Sequence, residues 1–283
     1  MVVQHNLTAM NTQRQLNITT GVQSKVSEQL ASGYKINRAA DDAAGLTISE
    51  KMRSQIRGLT QASANAEDGI SCVQTAEGAL AEVHDMLQRM NELAVKSANG
   101  TNTTADRVAI QKEINALVSE IDRVSQSTQF NTLSLLDGSF SGKTLQVGAA
   151  DKPEQTIRVS IMALSSTGLN IASLKDATLD KSSTATLVTQ EGAKSAISLI
   201  TKAIAMVSSQ RSSLGAIQNR LEHTINNLDN IVENTTAAES AIRDTDMAAA
   251  MVQFSTANII AQAGQSMLAQ ANQSKQGVMS LLQ

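Results

Sequence analysis

Asp41 and Asp42 follow Arg38 closely, and a carboxylate pair beside a guanidinium is the nearest this sequence comes to general acid–base chemistry. No histidine, second carboxylate cluster or pocket-forming aromatic accompanies them, so a turn is the better reading. Asp42 then serves as N-cap of a helix that begins Ala43-Ala44-Gly45. Cys72, the only cysteine, adjoins Val73 in an apolar stripe and reads as a small packed residue. A single cysteine also excludes an intramolecular disulfide framework. His5, His84 and His223 are too scattered in sequence for a metal cage, and His84, beside Val83 and Leu87, reads as solvated. Gly45, Gly69, Gly78 and Gly100 form no phosphate loop, because no Gly-Lys-Ser/Thr follows any of them. Arg89 and Glu92 share a helix face, with Glu113 on the next helix. By themselves they read as an exposed ion pair worth at most ~1 kcal/mol. Neither catalysis nor a cofactor site emerges from these groups.

Composition removes further classes. Aromatics supply 1% of the 283 residues, with no Trp, one Tyr and three Phe, so the side chains that wall a deep enzyme cleft are scarce. A net charge of −3 and a pI of about 5.7 give no basic field for nucleic acid or anionic lipid. No apolar run reaches the roughly 18 residues of a membrane span. The start, Met1-Val-Val-Gln-His-Asn6, lacks the basic and apolar regions of a cleavable signal. The chain is therefore expected either to stay in the cytosol or to leave by a route that keeps its N-terminus. One proline leaves very long helices uninterrupted.

Two long arms flank a differently composed middle. Val73, Ala76, Leu80, Val83, Leu87, Met90 and Ala94 recur with a mean step of about 3.5, the coiled-coil period. Ser97-Ala-Asn-Gly100 supplies a helix stop, and Asp106 caps or charge-stabilises the next helix. That helix carries Ile110, Ile114, Leu117, Ile121 and Val124, and the two make an antiparallel pair. The second arm keeps register through Ile197, Ile200, Ile204, Val207, Arg211, Leu214, Gln218, Leu221, Ile225, Leu228, Val232 and Thr235. Arg211 and Gln218 interrupt that seam with polar groups that fix register at a cost in stability. A helix over 190–242 would be about 80 Å long, which predicts a rod. Thr144–Val147 and Thr156–Ile161 alternate around Pro153, with turn signals at Asp137-Gly138 and Ser141-Gly142. They predict a β-hairpin region over about 130–165 at one end of the rod. Residues 165–190 read as a short surface connection.

The two ends carry amphipathic stripes. Leu7, Met10, Ile18, Val22, Val26 and Leu30 mark residues 3–33, and Met247, Met251, Phe254, Ala261, Leu268, Ala271, Val278 and Leu282 mark 245–282. Isolated helices are marginal in water, so these stripes must pair with each other or with neighbouring molecules. The predicted fold class is mainly α, an elongated antiparallel helical-bundle or coiled-coil rod with a small β-hairpin region and terminal helices pairing as a coiled coil. The expected division is 1–42, 43–242 and 243–283.

At this point the residues resemble a known family. Ala39-Ala-Asp-Asp-Ala-Ala-Gly-Leu-Thr-Ile-Ser49, preceded by Gln29-Leu-Ala-Ser-Gly33, resembles the N-terminal signature of bacterial flagellin. Leu87-Gln-Arg-Met-Asn-Glu-Leu-Ala-Val-Lys-Ser-Ala-Asn-Gly-Thr101 resembles the segment contacted by the innate immune receptor for flagellin. Ile121-Asp-Arg-Val-Ser125, Thr128-Gln-Phe-Asn131, Ile242-Arg-Asp-Thr-Asp-Met-Ala248 and Gln270-Ala-Asn-Gln273 fit further stretches in order. The middle departs from the pattern: many flagellins carry large variable outer domains where this chain has a short link. Gln283 also stands in place of the family's common final arginine.

The resemblance implies a structural subunit, not an enzyme, with no cofactor, no metal and no catalytic residue. It implies secretion without a cleaved signal through the flagellar export channel, with an export chaperone and a filament cap protein as partners. The subunit would polymerise with itself into the extracellular flagellar filament that drives motility. Terminal helices bearing Leu7, Val22, Val26, Leu30, Met251, Phe254, Leu268, Val278, Leu281 and Leu282 would form the inner tube. Gln88, Arg89, Glu92, Leu93 and Glu113 would contact the Toll-like receptor for flagellin. Leu93, just off the Met90–Ala94 seam, is expected to be exposed between charged groups, as suits a small interface anchor. Asn91 stands where the motif often has a basic residue. Two other readings compete: a hook–filament junction protein of the same superfamily, and the cytoplasmic helical hairpin of a chemoreceptor.

Overall fold

The computed structural model describes residues 6–175 and 187–280, the last six of these as backbone only. Five helices dominate: α1 (Leu7–Ser32), α2 (Ala43–Ala98), α3 (Thr104–Ser127), α4 (Gln190–Arg243) and α5 (Met247–Ser280). Two short antiparallel ladders lie between α3 and α4 in sequence. The first pairs β1 (Gln129–Phe130) with β2 (Leu133–Ser134), and the second pairs β3 (Lys143–Gln146) with β4 (Thr156–Val159). The chain divides into two compact units. One holds the residues up to Ile56 together with those from Glu233 onward, and the other is Arg57–Val232.

In the Arg57–Val232 unit, α2 buries Leu59, Ala62, Ala66, Gly69, Val73, Ala76, Leu80, Val83, Leu87, Met90, Ala94 and Ser97, an unbroken 3–4 alternation. The predicted Val73–Ala94 stripe is therefore the core seam, and it extends further in both directions. Cys72 is buried beside it, and that burial pushes its thiol pKa up, away from nucleophile chemistry. Helix ends follow local rules. Asp42 Oδ1 accepts from Ala44 N–H (3.0 Å) and Gly45 N–H (2.9 Å), capping α2 as predicted. At α3 the cap is Thr103, in a reciprocal capping box with Asp106.

Four expectations need correction. In α4 the fully buried set is Ala193, Ala196, Ile200, Ala203, Val207, Leu214, Ile217, Leu221 and Leu228, whereas Ile197, Ile204, Arg211, Gln218 and Ile225 are half-buried. Small alanines take the closest approach and the larger isoleucines flank it, so the true seam edge lies one residue earlier. In α3, likewise, Val118 and Ser125 are buried while Leu117 and Val124 flank. The β3–β4 hairpin packs along α2 between Gly58 and Gly69. A Cβ at Gly69 would sit 2.5 Å from Leu145 Cδ1, so glycine lets the Leu145 side chain pack directly on the helix. Asn65 Nδ2 donates to Gln146 O (3.1 Å) beside it. Residues 165–175 and 187–190 are not a surface connection. Leu169, Ile171, Leu174 and Leu187 are among the most buried side chains. Sequence spacing could not show this, because the segment has no period. His84 is half-buried, with Nδ1 enclosed and Nε2 at 2.8 Å from Gln88 Nε2, where solvation was expected.

Fully buried Gln111 holds that segment. Its Nε2 donates to Leu174 O (2.7 Å) and its Oε1 accepts from Leu187 N–H (2.8 Å), while Ser97 Oγ donates to Leu187 O (2.6 Å). Removing the amide leaves two buried backbone groups unpaired, each costing ~1–3 kcal/mol. Gln111→Leu should lower the urea midpoint of unfolding accordingly. An unchanged midpoint would show that the amide does not pin the segment.

Candidate functional site

The unit formed by the two ends of the chain contains the surface most in need of a partner. α1 and α5 run antiparallel: Asn6 Nδ2 donates to Ala271 O (3.2 Å), and Thr245 N–H donates to Gly33 O (2.9 Å) at the other end. The inward side of α1 is Ala9, Thr12, Leu16, Thr19, Gln23, Val26 and Leu30; that of α5 is Ala250, Phe254, Ala257, Ala261, Gly264, Leu268 and Ala271. Both sets keep a 3–4 register, so the pair is a coiled-coil seam built largely of small or polar residues. A Cβ on Gly264 would already lie 3.4 Å from Leu16 Cδ1.

The predicted stripes therefore split. Val26 is buried, and Leu30, Phe254 and Leu268 are half-buried in the seam. Leu7 (67% exposed), Val22 and Met251 point outward, joined by Met10, Ile18, Val252, Ile259 (68% exposed), Ile260 and Met267. Leu281 and Leu282 lie outside the described residues, as does the side chain of Val278. Ile18, Val22, Val252, Ala257 and Ile260 line an open apolar groove of about 340 Å³ between the two helices. Large apolar side chains left exposed along both helices mark an interaction surface.

A compact joint closes the base of this pair. Gly33 ends α1 in the left-handed region (φ 77°), its N–H donating to Gln29 O (2.8 Å). Tyr34 and Asp244 form an antiparallel bridge, with Lys35 N–H donating to Arg243 O (2.7 Å). Arg243 stacks its guanidinium 4.6 Å above the Tyr34 ring and pairs through Nη1 with Glu50 Oε1 of α2 (3.0 Å). Glu50 also binds Arg53 (2.9 Å), and Asp41 binds Lys25 (2.9 Å) while accepting from Arg38 N–H (3.1 Å). Arg38 itself pairs with Glu28 (3.0 Å). A Cβ on Gly45 would press into the Asp42 carboxylate and lie 2.8 Å from Ile36 Cδ1, so a side chain here would displace the capping carboxylate. Asp246 caps α5 through Ala248 and Ala249 N–H (2.9 and 3.1 Å). The Arg38–Asp41–Asp42 cluster is thus a structural turn. Arg243 and Tyr34 were missed as joint residues because no periodic signal links positions so far apart in sequence.

A second feature lies at the α2–α3 end of the other unit. Arg89 donates from Nε and Nη2 to Glu113 Oε1 (3.0 and 2.9 Å) and from Nη1 to Glu92 Oε2 (3.1 Å), all three exposed. Leu93 is 3% exposed, contrary to expectation. α3 covers this side of α2, and Leu93 lines, with Ala109 and Ile110, a groove of about 630 Å³ whose polar rim includes Arg89, Glu92, Lys96 and Glu113. Gln88 is exposed beside it.

Among the described residues no helix is long and apolar enough to cross a membrane, and no group of three His, Cys, Asp or Glu could hold a metal. Residues 3–141 match the family model for the bacterial flagellin N-terminal helical region, and residues 197–282 that for the bacterial flagellin C-terminal helical region. A flagellin of Halalkalibacterium halodurans is 51% identical over 282 residues, covering 100% of both chains. The flagellar filament 31.3 kDa core protein of Treponema maltophilum is 44% identical over 293 residues, again covering 100% of each. A solved flagellar hook-associated protein of Vibrio parahaemolyticus, 15% identical, aligns with a TM-score of 0.59 over 72% of this chain and 100% of its own; it shows a shared fold alone.

The joint also sets a pH dependence. The Lys25 ammonium and the Arg38 N–H hold the Asp41 carboxyl below its ordinary 3.8, and Arg243 holds Glu50 below its ordinary 4.5. Such groups contribute stability fully above those ordinary values and lose it as pH falls through the lowered ones. Tyr34, the only tyrosine, reports on the joint directly. Its near-ultraviolet circular dichroism band should be flat from neutral pH down to about pH 5 and weaken as pH falls further through the carboxylate range. A band that fades between neutrality and pH 5 would show that other groups control the joint.

Proposed function

The chain belongs to the bacterial flagellin family, and from that membership we propose that it is a structural subunit that polymerises into the bacterial flagellar filament and serves motility outside the cell. Flagellins are structural proteins, not enzymes. The observation that carries the reading is the outward apolar face of the α1–α5 pair. Its small-residue seam is satisfied within the chain, but Leu7, Met10, Ile18, Val22, Met251, Val252, Ile259, Ile260 and Met267 are left exposed. Fully burying one such side chain contributes roughly 1.5–3 kcal/mol, so a second copy of the chain gains enough from covering this face to drive assembly. In this reading residues 1–42 and 243–283 form the inner filament domain and 43–242 the core domain. An export chaperone, a cap protein and secretion without a cleaved signal complete the proposal.

The exposed Arg89–Glu92–Glu113 patch, with Gln88 beside it and Leu93 at the floor of the adjoining groove, supports a further part of the reading: contact with the Toll-like receptor for flagellin. A charged, solvent-facing arginine with an apolar floor nearby suits an interface anchor. The hook–filament junction protein is the second reading, favoured by the fold shared with the hook-associated protein. Family membership sets aside the chemoreceptor hairpin.

Seeded growth followed by electron microscopy separates flagellin from junction protein, since the former elongates into long filaments and the latter does not. Deleting 1–33 or 245–283 should leave α2–α4 helical by circular dichroism and abolish elongation; normal filaments from either truncation would refute the proposed role of the terminal helices. For the receptor, Arg89→Ala should leave the fold's melting transition nearly unchanged, because the pair is exposed, and weaken binding by about tenfold. Leu93→Ala is the poorer test, because truncating a buried leucine costs ~2–5 kcal/mol in stability. Undiminished binding of a well-folded Arg89→Ala protein would remove the patch from the proposal.

A further inference from the structure

We propose that Arg243 is a positioning residue for assembly: by clamping Tyr34 and Glu50 at once, it fixes the direction in which α1 and α5 leave the start of α2 and the end of α4. The inference rests on the filament reading above. The backbone bridge in the joint consists of two hydrogen bonds, Lys35 N–H to Arg243 O and Thr245 N–H to Gly33 O. Two bonds set the level at which the helices break but leave a pivot about the bridge. The Arg243 side chain removes that pivot, because its guanidinium touches the Tyr34 ring that follows α1 and the Glu50 carboxylate of α2, while its own backbone ends α4.

The other ion pairs of the joint cannot substitute. Lys25–Asp41 and Arg38–Glu28 are solvent-facing, with the cationic side chains 57% and 74% exposed, whereas that of Arg243 is 12% exposed. Exposed pairs hold geometry weakly. A planar guanidinium can stack on a ring and donate in its own plane at the same time, which a lysine ammonium cannot. Direction matters because the levers are long. α1 is about 39 Å from end to end at 1.5 Å per residue, so a tilt of roughly 5° displaces its far end by about 3 Å. A gap of 0.5–1 Å already forfeits a quarter to a half of a dispersion contact. The outward residues Leu7, Met10 and Ile18 lie on the far half of that lever.

The test uses the full chain in seeded elongation, with fragments of its own filaments as seeds, beside far-ultraviolet melting and the Tyr34 near-ultraviolet band of the monomer. Arg243→Ala and Tyr34→Ala should raise the concentration needed for elongation about tenfold or more, the scale of one lost charge-assisted contact. Tyr34→Phe, which keeps the ring, should elongate like the parent, and Arg243→Lys should fall between. The main melting transition should not move, and the tyrosine band should weaken in Arg243→Ala. Elongation of Arg243→Ala at the parent's concentration would overturn the proposal. So would a Tyr34→Phe defect as large as that of Tyr34→Ala, or a melting loss that tracks the elongation loss. A parent chain that never elongates refutes the filament reading instead. The tyrosine band then decides the clamp: a weakened band in Arg243→Ala supports it, and an unchanged one overturns it.

Discussion

A helix as long as α2, with 56 residues, cannot be wrapped by a single compact core; it can bury only a stripe along its length. That stripe, Leu59 to Ser97, is what the Arg57–Val232 unit is arranged to cover. α3 and α4 lay matching stripes against it, Leu145 of β3 enters at Gly69, and the chain around Leu169, Ile171 and Leu174 is drawn into the same cluster. Gln111, Ser97 and Ser125 are buried where irregular backbone meets these helices. Gln111 and Ser97 satisfy the backbone at Leu174 and Leu187, and Ser125 Oγ donates to Leu136 O (2.9 Å). An unpaired backbone amide there would be costly, so the irregular segments can be buried only because these side chains reach them.

The same period serves a different purpose in the terminal pair. Alanine, glycine and threonine at the closest positions let α1 and α5 approach, but they bury little area per residue, so the seam alone holds weakly. Other large apolar side chains, Ile18, Val22, Ile259 and Ile260 among them, stay outside the seam. A chain that buried Ile18, Val22, Ile259 and Ile260 internally would make a stable hairpin with nothing left for a neighbour. Leaving them outside keeps that surface free for the proposed assembly. The absence of acidic residues between Met247 and Gln283 is consistent with a face meant to be covered, since buried carboxylates are costly.

Between these two kinds of seam sits the joint, which is held by charge and stacking rather than by apolar burial. The Nε of Arg243 and the Oγ1 of Thr245 are buried there without a hydrogen-bond partner among the described residues. Such atoms carry a desolvation cost of ~1–3 kcal/mol each, so the joint is not built for maximum stability. Its logic is geometric: the backbone bridge sets the level of both helix breaks, and the arginine sets their direction.

Local chemistry alone was enough to read the cap at Asp42, the first-turn carboxylate of Asp106, the stop at Asn99-Gly100, the β3–β4 hairpin and the Val73–Ala94 seam, though not Thr103 as the cap of α3. Each depends on residues within a turn or two of one another. The errors share one cause. Ranking residues by hydrophobicity favours large side chains, whereas closest helix approach favours small ones, so Ile197 and Ile204 displaced Ala196 and Ala203, and Ile18 and Val22 displaced Thr19 and Gln23. Leu93 was read as exposed because its own helix leaves it off the seam; α3 covers it, and no property of α2 reveals that. The amino-acid sequence by itself determined the periods, the helix ends and the family signature, because these are set by neighbours along the chain. Only the tertiary structure decided which stripe faces inward, what buries residues 165–175, and that Tyr34, Glu50 and Arg243 meet, because those outcomes depend on contacts between segments separated by up to 265 residues of chain, whose closure no local preference encodes.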